Sequence, residues 1–138
     1  MIREVTKNDF NRVYELGISL NKNYKDLFNL ELLSQDVNNK ILVYEKQNVL
    51  IGFIHILKLY EVTEIINIVV DKSYQRNGFG SDLINEVIMI YPENEIILEV
   101  RSKNKTAINF YKKLNFKLLN IRKKYYSDDD AYVMKRSV

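Results

Sequence analysis

The chain has 138 residues and 46% hydrophobic side chains, enough to bury about two-thirds of its unfolded surface in one core, so a single domain over residues 1–138 is expected and disorder is not. It has no cysteine, which excludes disulfides, zinc–thiolate sites and thiol nucleophiles together, and its single histidine, His55, excludes a two-histidine metal site. Net charge is only +3 but unevenly spread: residues 1–100 hold 10 Lys/Arg against 15 Asp/Glu, whereas residues 101–138 hold 11 against 3. The basic run from Arg101 to Tyr126 is either a solvated face or a field for a polyanion, nucleic acid or the phosphates of a coenzyme.

Ile2-Arg3-Glu4-Val5 alternates as a short strand, and Thr6 or Asn8 is placed to cap a helix whose Phe10, Val13, Tyr14, Leu16 and Leu20 share one face. Residues 24–38 read as a further helix of looser period. Lys40 to Lys46 and Val49 to Tyr60 are strands joined at Gln47-Asn48, and Glu61 to Asp71 is a third. A helix from Phe79 to Tyr91 stops at Pro92, the only proline. Glu95 to Arg101 is the next strand. It must run parallel to the one ending at Asp71, since a helical crossover joins them. Asn104 to Leu114 is a helix with Asn115 at its left-handed exit, and 116–126 and 131–136 form a last hairpin bent at Ser127 to Asp130. The order describes a mixed α/β (α+β), mostly antiparallel sheet with helices on both sides. The apolar runs fall short of a bilayer span and the Met1-Ile2-Arg3-Glu4 start is no signal peptide, so a cytoplasmic protein without membrane contact is expected.

The chain is organised around Ile68 to Leu83. A buried β-branched run ends at Asp71, a polar loop follows, and Gly78 and Gly80 open the helix. The first turn of a helix has N–H groups without intrahelical partners and partial positive charge, and glycine allows close approach there, which suits phosphate oxygens. No P-loop pattern occurs, and the third position of a dinucleotide fingerprint is Leu83, so neither of those readings holds.

Glu99 interrupts an apolar strand near its C-terminal end, where open α/β sheets place ligands. It is either a solvated charge, paired with Arg101 or another cation, or a proton acceptor in a partly dry cleft. Tyr111 shares a face with Ala107 and Leu114, so core packing is its default, although a phenol can also donate a proton. Asn104 is most simply a helix cap, and His55, without a visible partner, is structural.

Gln75-Arg76-Asn77-Gly78-Phe79-Gly80 resembles the acyl-CoA pyrophosphate loop of the GNAT superfamily of N-acetyltransferases. The likeness continues through Leu98-Glu99-Val100-Arg101-Ser102-Lys103-Asn104, Ala107-Ile108, Phe110-Tyr111, Leu114-Asn115-Phe116, Tyr125-Tyr126 and Asp130-Ala131, covering about residues 60–136. Within the superfamily it is most similar to the ribosomal-protein-alanine N-acetyltransferases. It departs from them at Asn115, where they have glycine, and in lacking a proline–tryptophan pair between Asn21 and Asp36.

The resemblance implies about seven strands and about four helices, with splayed parallel central strands. It implies acetyl-CoA as co-substrate, no metal, and an amine acceptor such as a ribosomal-protein N-terminus, the enzyme being a monomer or homodimer. Ile68, Val69 and Val70 would offer backbone groups to the pantetheine arm, and Asn104 would hydrogen-bond it. Arg76, Asn77, Gly78, Phe79, Gly80 and Ser81 would cradle the pyrophosphate. Glu99 would be the general base and Tyr111 the acid toward the thiolate. A small amine as acceptor is one alternative. Another is an RNA-binding module built on the basic 101–126 segment with Tyr125-Tyr126 as a stacking platform.

Overall fold

The computed structural model describes residues 1–138. Seven strands form one sheet: β1 (Ile2–Glu4), β2 (Asn39–Lys46), β3 (Val49–Lys58), β4 (Val62–Val70), β5 (Glu95–Arg101), β6 (Lys117–Tyr126) and β7 (Asp129–Arg136). Their spatial order is β1-β2-β3-β4-β5-β7-β6, with every neighbouring pair antiparallel except β4 and β5. The helices are α1 (Phe10–Leu20), α2 (Tyr24–Leu27), α3 (Leu30–Gln35), α4 (Phe79–Ile90) and α5 (Lys105–Lys113).

The period-2 alternation of the strands divides the core between two faces. On one face Ile54, Ile56, Ile65, Ile96, Leu98 and Val100 meet Leu83, Ile84 and Val87 of α4 and Ile108 and Tyr111 of α5. On the other, Ile41, Val43, Phe53 and Val69 meet Val13 and Leu16 of α1 and Tyr24 of α2. Fully burying each such aliphatic side chain contributes roughly 1.5–3 kcal/mol, so α4 and the strands beneath it form a rigid platform.

The Gln47-Asn48 turn has φ of 52° and 66°, the two positive values that a two-residue hairpin with the right twist requires. Asn115 takes φ 70° after α5, the left-handed exit expected of it. Residues 24–38 depart from expectation: they are two short helices, which brings the helix count to five. Phe28 between them is extended, Asn29 caps α3 by accepting the Leu32 N–H at 3.1 Å, and the break turns the Phe28 ring onto Tyr24 and His55. Leu27 and Leu32 stay exposed, which accounts for the loose period. The last hairpin bends more tightly than predicted, since β7 begins at Asp129. That carboxylate is buried, and it accepts from the Ser102 hydroxyl, from Lys103 N–H at 3.0 Å and from Asp130 N–H at 2.8 Å. It ties the hairpin to the loop after β5.

β4 and β5 stay in register for three pairs only, Val62 with Glu95, Thr63 with Ile96 and Glu64 with Ile97. That end is pinned by Glu95 N–H to Glu61 O at 3.0 Å and by Asn94 Nδ2 to the buried Thr63 hydroxyl at 3.1 Å. Beyond Glu64 a bulge opposite His55 and Ile56 inserts Ile66, and the strands part. A bulge bends its strand and sharpens local twist, which is the physical reason the ladder stops there. No helix is long and apolar enough to cross a membrane.

Candidate active site

The divergence of β4 from β5 exposes backbone. Asp71 N–H reaches Ile51 O on β3 at 2.8 Å, so by antiparallel alternation Val69 pairs with Phe53 while Ile68 and Val70 direct their amide groups toward the gap. Of the three predicted backbone contributors, Ile68 and Val70 are therefore the ones open to a ligand. Val70 O is engaged by Gln75 Nε2 at 3.0 Å.

Immediately past the strand, a 3₁₀ turn at Lys72–Tyr74 and a loop lead into α4. Asp71 anchors the turn, accepting Ser73 N–H at 2.9 Å and Arg12 Nη2 of α1 at 2.5 Å. The Asn77 amide returns to Tyr74 O and Gln75 O, both at 3.1 Å, and holds the loop in place. Arg76 and Gly78 both have positive φ, 66° and 82°. The backbone N–H groups of Arg76 through Ser81 make no hydrogen bond within the protein. Nothing lies within 4 Å of where a Gly78 side chain would project, whereas a side chain on Gly80 would press the Phe110 ring at 3.2 Å. A run of unpaired amides at the positive end of a 12-residue helix, with Arg76 beside it, suits a diphosphate.

Leu98 and Val100 point into the α4–α5 core, so Glu99 faces the opposite side of the sheet. Its Oε1 accepts from Arg122 Nη1 of β6 at 2.5 Å, and Oε2 makes no hydrogen bond. The partner is Arg122, not Arg101, which pairs with Asp128 at 2.8 Å. Tyr111 lies in the α4–α5 core against Phe110 and Phe116, and burial pushes its phenol up to about 12. Its hydroxyl donates to no protein acceptor, yet it is not among the sealed, unpartnered polar atoms, which are Tyr24 Oη, His55 Nδ1 and Asn67 Nδ2. A phenol that stays protonated thus lies on the α4–α5 face of the sheet, and a carboxylate on the opposite face. Asn104 caps α5 through Ala107 N–H at 3.2 Å and keeps its Nδ2 unpaired. His55 has a partner the sequence did not reveal, Asn39 Oδ1 at 2.7 Å.

The cavity of about 420 Å³ that touches Phe79 lies by the β2–β3 turn, lined by Met1, Tyr44 and Lys46, and β3 and β4 separate it from Glu99. No group of three His, Asp or Glu side chains is placed to hold a metal ion. In the basic segment, Arg122 covers the Tyr125 ring at 4.0 Å, Arg101 covers Tyr126 at 4.1 Å, and Lys123 pairs with Asp130 at 3.6 Å. Each ring thus carries a guanidinium on one face, so a nucleobase could stack there only on the other face or by displacing the arginine.

Glu64, Arg12 and Asp71 were not singled out by sequence reasoning. Glu64 follows ordinary strand alternation in Val62-Thr63-Glu64-Ile65, and the Arg12–Asp71 link joins residues distant in the chain, so none of the three carried a local signal.

The sequence profile of the Acetyltransferase (GNAT) family matches residues 4–116. Over 150 aligned residues the chain is 31% identical to an N-alpha-acetyltransferase of Sulfolobus acidocaldarius, covering 96% of this chain and 89% of that one. It is 27% identical over 145 residues to the ribosomal protein bS18-alanine N-acetyltransferase of Haemophilus ducreyi, covering 95% and 92%. The crystal structure of a GNAT family acetyltransferase from Elizabethkingia anophelis with acetyl-CoA bound shares the fold. Its TM-score is 0.84 over 100% of this chain and 97% of that one, at 20% identity.

Proposed function

Because this chain belongs to the GNAT family of acetyltransferases, we propose that it transfers an acetyl group from acetyl-CoA to a protein N-terminal α-amine of the ribosomal-protein-alanine type, by direct attack in a ternary complex. The observation that carries the reading is the run of unpaired amides from Arg76 to Ser81, set at the end of β4 just past the point where β4 and β5 part and Glu99 stands on β5. The similarity to relatives named for N-terminal and ribosomal-protein acetylation supports the choice of acceptor.

Acetyl-CoA supplies the acetyl group as a reactive thioester. Arg76 to Ser81 hold its diphosphate, the Ile68 amide groups align the pantetheine arm, and Asn104 Nδ2 donates to it. The acceptor is an ammonium ion at neutral pH and has no free lone pair until it loses a proton, so Glu99 draws a proton from the nitrogen directly or through a water. The Val70 N–H, aimed into the gap, stabilises the developing oxyanion, and the protonated Tyr111 donates to the departing sulfur. The absence of cysteine is consistent with a route that has no thiol intermediate.

The test is acetyl-CoA turnover, read by thiol release, against short peptides with different free N-termini, including alanine, and against simple primary amines. Preference for the alanine peptide is expected. Turnover with small amines alone would move the acceptor to the small-molecule class, and release with no amine at all would overturn the reading.

A further inference from the structure

Buried polar groups are almost always paired, so the sealed atoms without a partner, His55 Nδ1 and Asn67 Nδ2 among them, call for a reason. These two belong to cross-strand neighbours, since His55 of β3 and Asn67 of β4 are register partners. Partners in an antiparallel pair share a face, with Cβ atoms about 5 Å apart. The face is the one that carries α1 and α2. Phe53 and Val69, the pair two residues along, belong to that core, and Phe28 sets its ring on His55.

Glu99 projects to the same face and lies two residues past Ile97, the last β5 partner of β4. Asn67 lies three residues past Glu64, the partner of Ile97, but the bulge absorbs one of them. Glu64 and Asn67 pair with Leu57 and His55, which are two residues apart on β3. Asn67 and Glu99 therefore stand level with each other, on either side of the point where the strands part. Arg122, the cation beside them, is bonded to Glu99 and stacked on Tyr125. Asn67 is half-buried, and its Oδ1 is not among the sealed atoms.

His55 dictates which way the Asn67 amide turns. Its Nε2 is 2.7 Å from Asn39 Oδ1, an oxygen that can only accept, so Nε2 carries the proton and Nδ1 is a bare acceptor. Burial lowers the imidazole to about 4, so it stays neutral near pH 7. A bare ring nitrogen attracts the NH₂ end of the neighbouring amide and repels its oxygen. The oxygen is left for the side of Glu99.

Resting on the acetyltransferase reading of this site, we infer that Asn67 binds the acceptor: His55 Nδ1 holds its NH₂ group, and its Oδ1 accepts an N–H of the incoming amine opposite Glu99. The Asn67–His55 bond is open in this structure and closes by rotation of the amide. A carboxamide takes up no proton near neutral pH, so Asn67 orients the nitrogen and the proton still leaves toward Glu99. Two fixed N–H directions restrict how the nitrogen turns as it approaches the thioester carbon.

The experiment compares wild type, Asn67→Leu, His55→Phe and the double variant on a short peptide with a free N-terminal alanine, from pH 6 to 9. Asn67→Leu keeps the volume and removes the oxygen. Its kcat/KM for the peptide is expected to fall about tenfold, by the same factor at every pH, with the acetyl-CoA KM unchanged. His55→Phe keeps a ring but releases the amide, so it should lose several-fold, and the double variant no more than Asn67→Leu alone. Additive losses, a raised acetyl-CoA KM, or activity within about twofold of wild type would overturn the assignment while leaving the transferase reading intact. Wild type that neither binds nor turns over acetyl-CoA would remove both. Independently of turnover and of how the variants fold, nitrogen-15 NMR of wild type should find His55 as the Nε2–H tautomer. Adding the peptide together with desacetyl-CoA should move the Asn67 side-chain amide signals. An Nδ1–H tautomer, or amide signals that the peptide leaves in place, would also overturn it.

Discussion

Two carboxylates withdrawn from water, Asp9 and Glu64, are treated in opposite ways. Asp9 receives the Arg3 guanidinium as a two-pronged fork at 2.8 and 3.0 Å, and Thr6 donates to it through its N–H at 2.7 Å and its hydroxyl at 3.0 Å. Arg3 also bonds Glu45 of β2, so the cluster locks β1, the start of α1 and β2 together. Hydrogen bonding from Arg3 is the largest cause holding the Asp9 carboxyl below its ordinary value. Glu64 receives nothing and faces another acid, and its carboxyl is raised. Charge at Asp9 stabilises the fold, whereas charge at Glu64 costs stability and leaves an acid with capacity for a proton. The same carboxylate chemistry stabilises the fold where it is satisfied and costs stability where it is left open.

The largest effect that tests this contrast is on catalysis. Glu99→Gln should reduce kcat/KM by about 100-fold at neutral pH, with the deficit narrowing toward pH 9 as the acceptor amine loses its own proton. A flat ratio across that range would remove Glu99 from proton transfer. Next in size, Asp9→Ala should cost about 2–3 kcal/mol in a urea melt at pH 7, because it strips Arg3 and Thr6 of their acceptor. The sign with pH follows from the lowered carboxyl. Its stabilisation is complete above the unfolded value of 3.8 and is lost as pH falls through the folded value, so wild type and variant should converge in acid.

Smaller again, Gly78→Ala has space for a methyl group but must hold φ near 82°, at a cost of about 1 kcal/mol. The acetyl-CoA KM should rise several-fold while the amine KM stays put. An unchanged KM for acetyl-CoA would argue that the corner does not touch the diphosphate. The smallest effect has the opposite sign. Glu64→Gln should stabilise the fold by a few tenths of a kcal/mol at pH 7, after allowance for solvent screening. A raised carboxyl penalises folding as pH climbs above 4.5, so this gain should vanish near pH 4. A loss of stability at neutral pH would mean that Glu64 has a structural partner.

The elements legible in the chain are those with local causes. Gln75-Arg76-Asn77-Gly78-Phe79-Gly80 announces a strand-to-helix corner because the left-handed φ at Gly78 and the side-chain bonds of Gln75 and Asn77 are all made within a few residues. Glu99 is legible as a break in an apolar strand. Gln47-Asn48 and Asn115 show their positive φ through residue type alone. The break between α2 and α3 is not legible, because it exists to turn Phe28 onto His55 and Tyr24, and neither contact is visible in the spacing of leucines. Residue type foretold an N-cap for Asn104, and the structure adds an amide left unpaired beyond it.

By itself the sequence determined the order of strands and helices, the glycine corner after β4, and the family pattern, since burial period, capping and turn chemistry are written in neighbouring residues. The tertiary structure alone decided that Glu99 meets Arg122 instead of Arg101, that Glu64 shares its face, and that β4 and β5 separate after Glu64. Those outcomes depend on strand register and on a bulge between β3 and β4. Both are set by packing across the whole sheet, so no local stretch of the chain carries them.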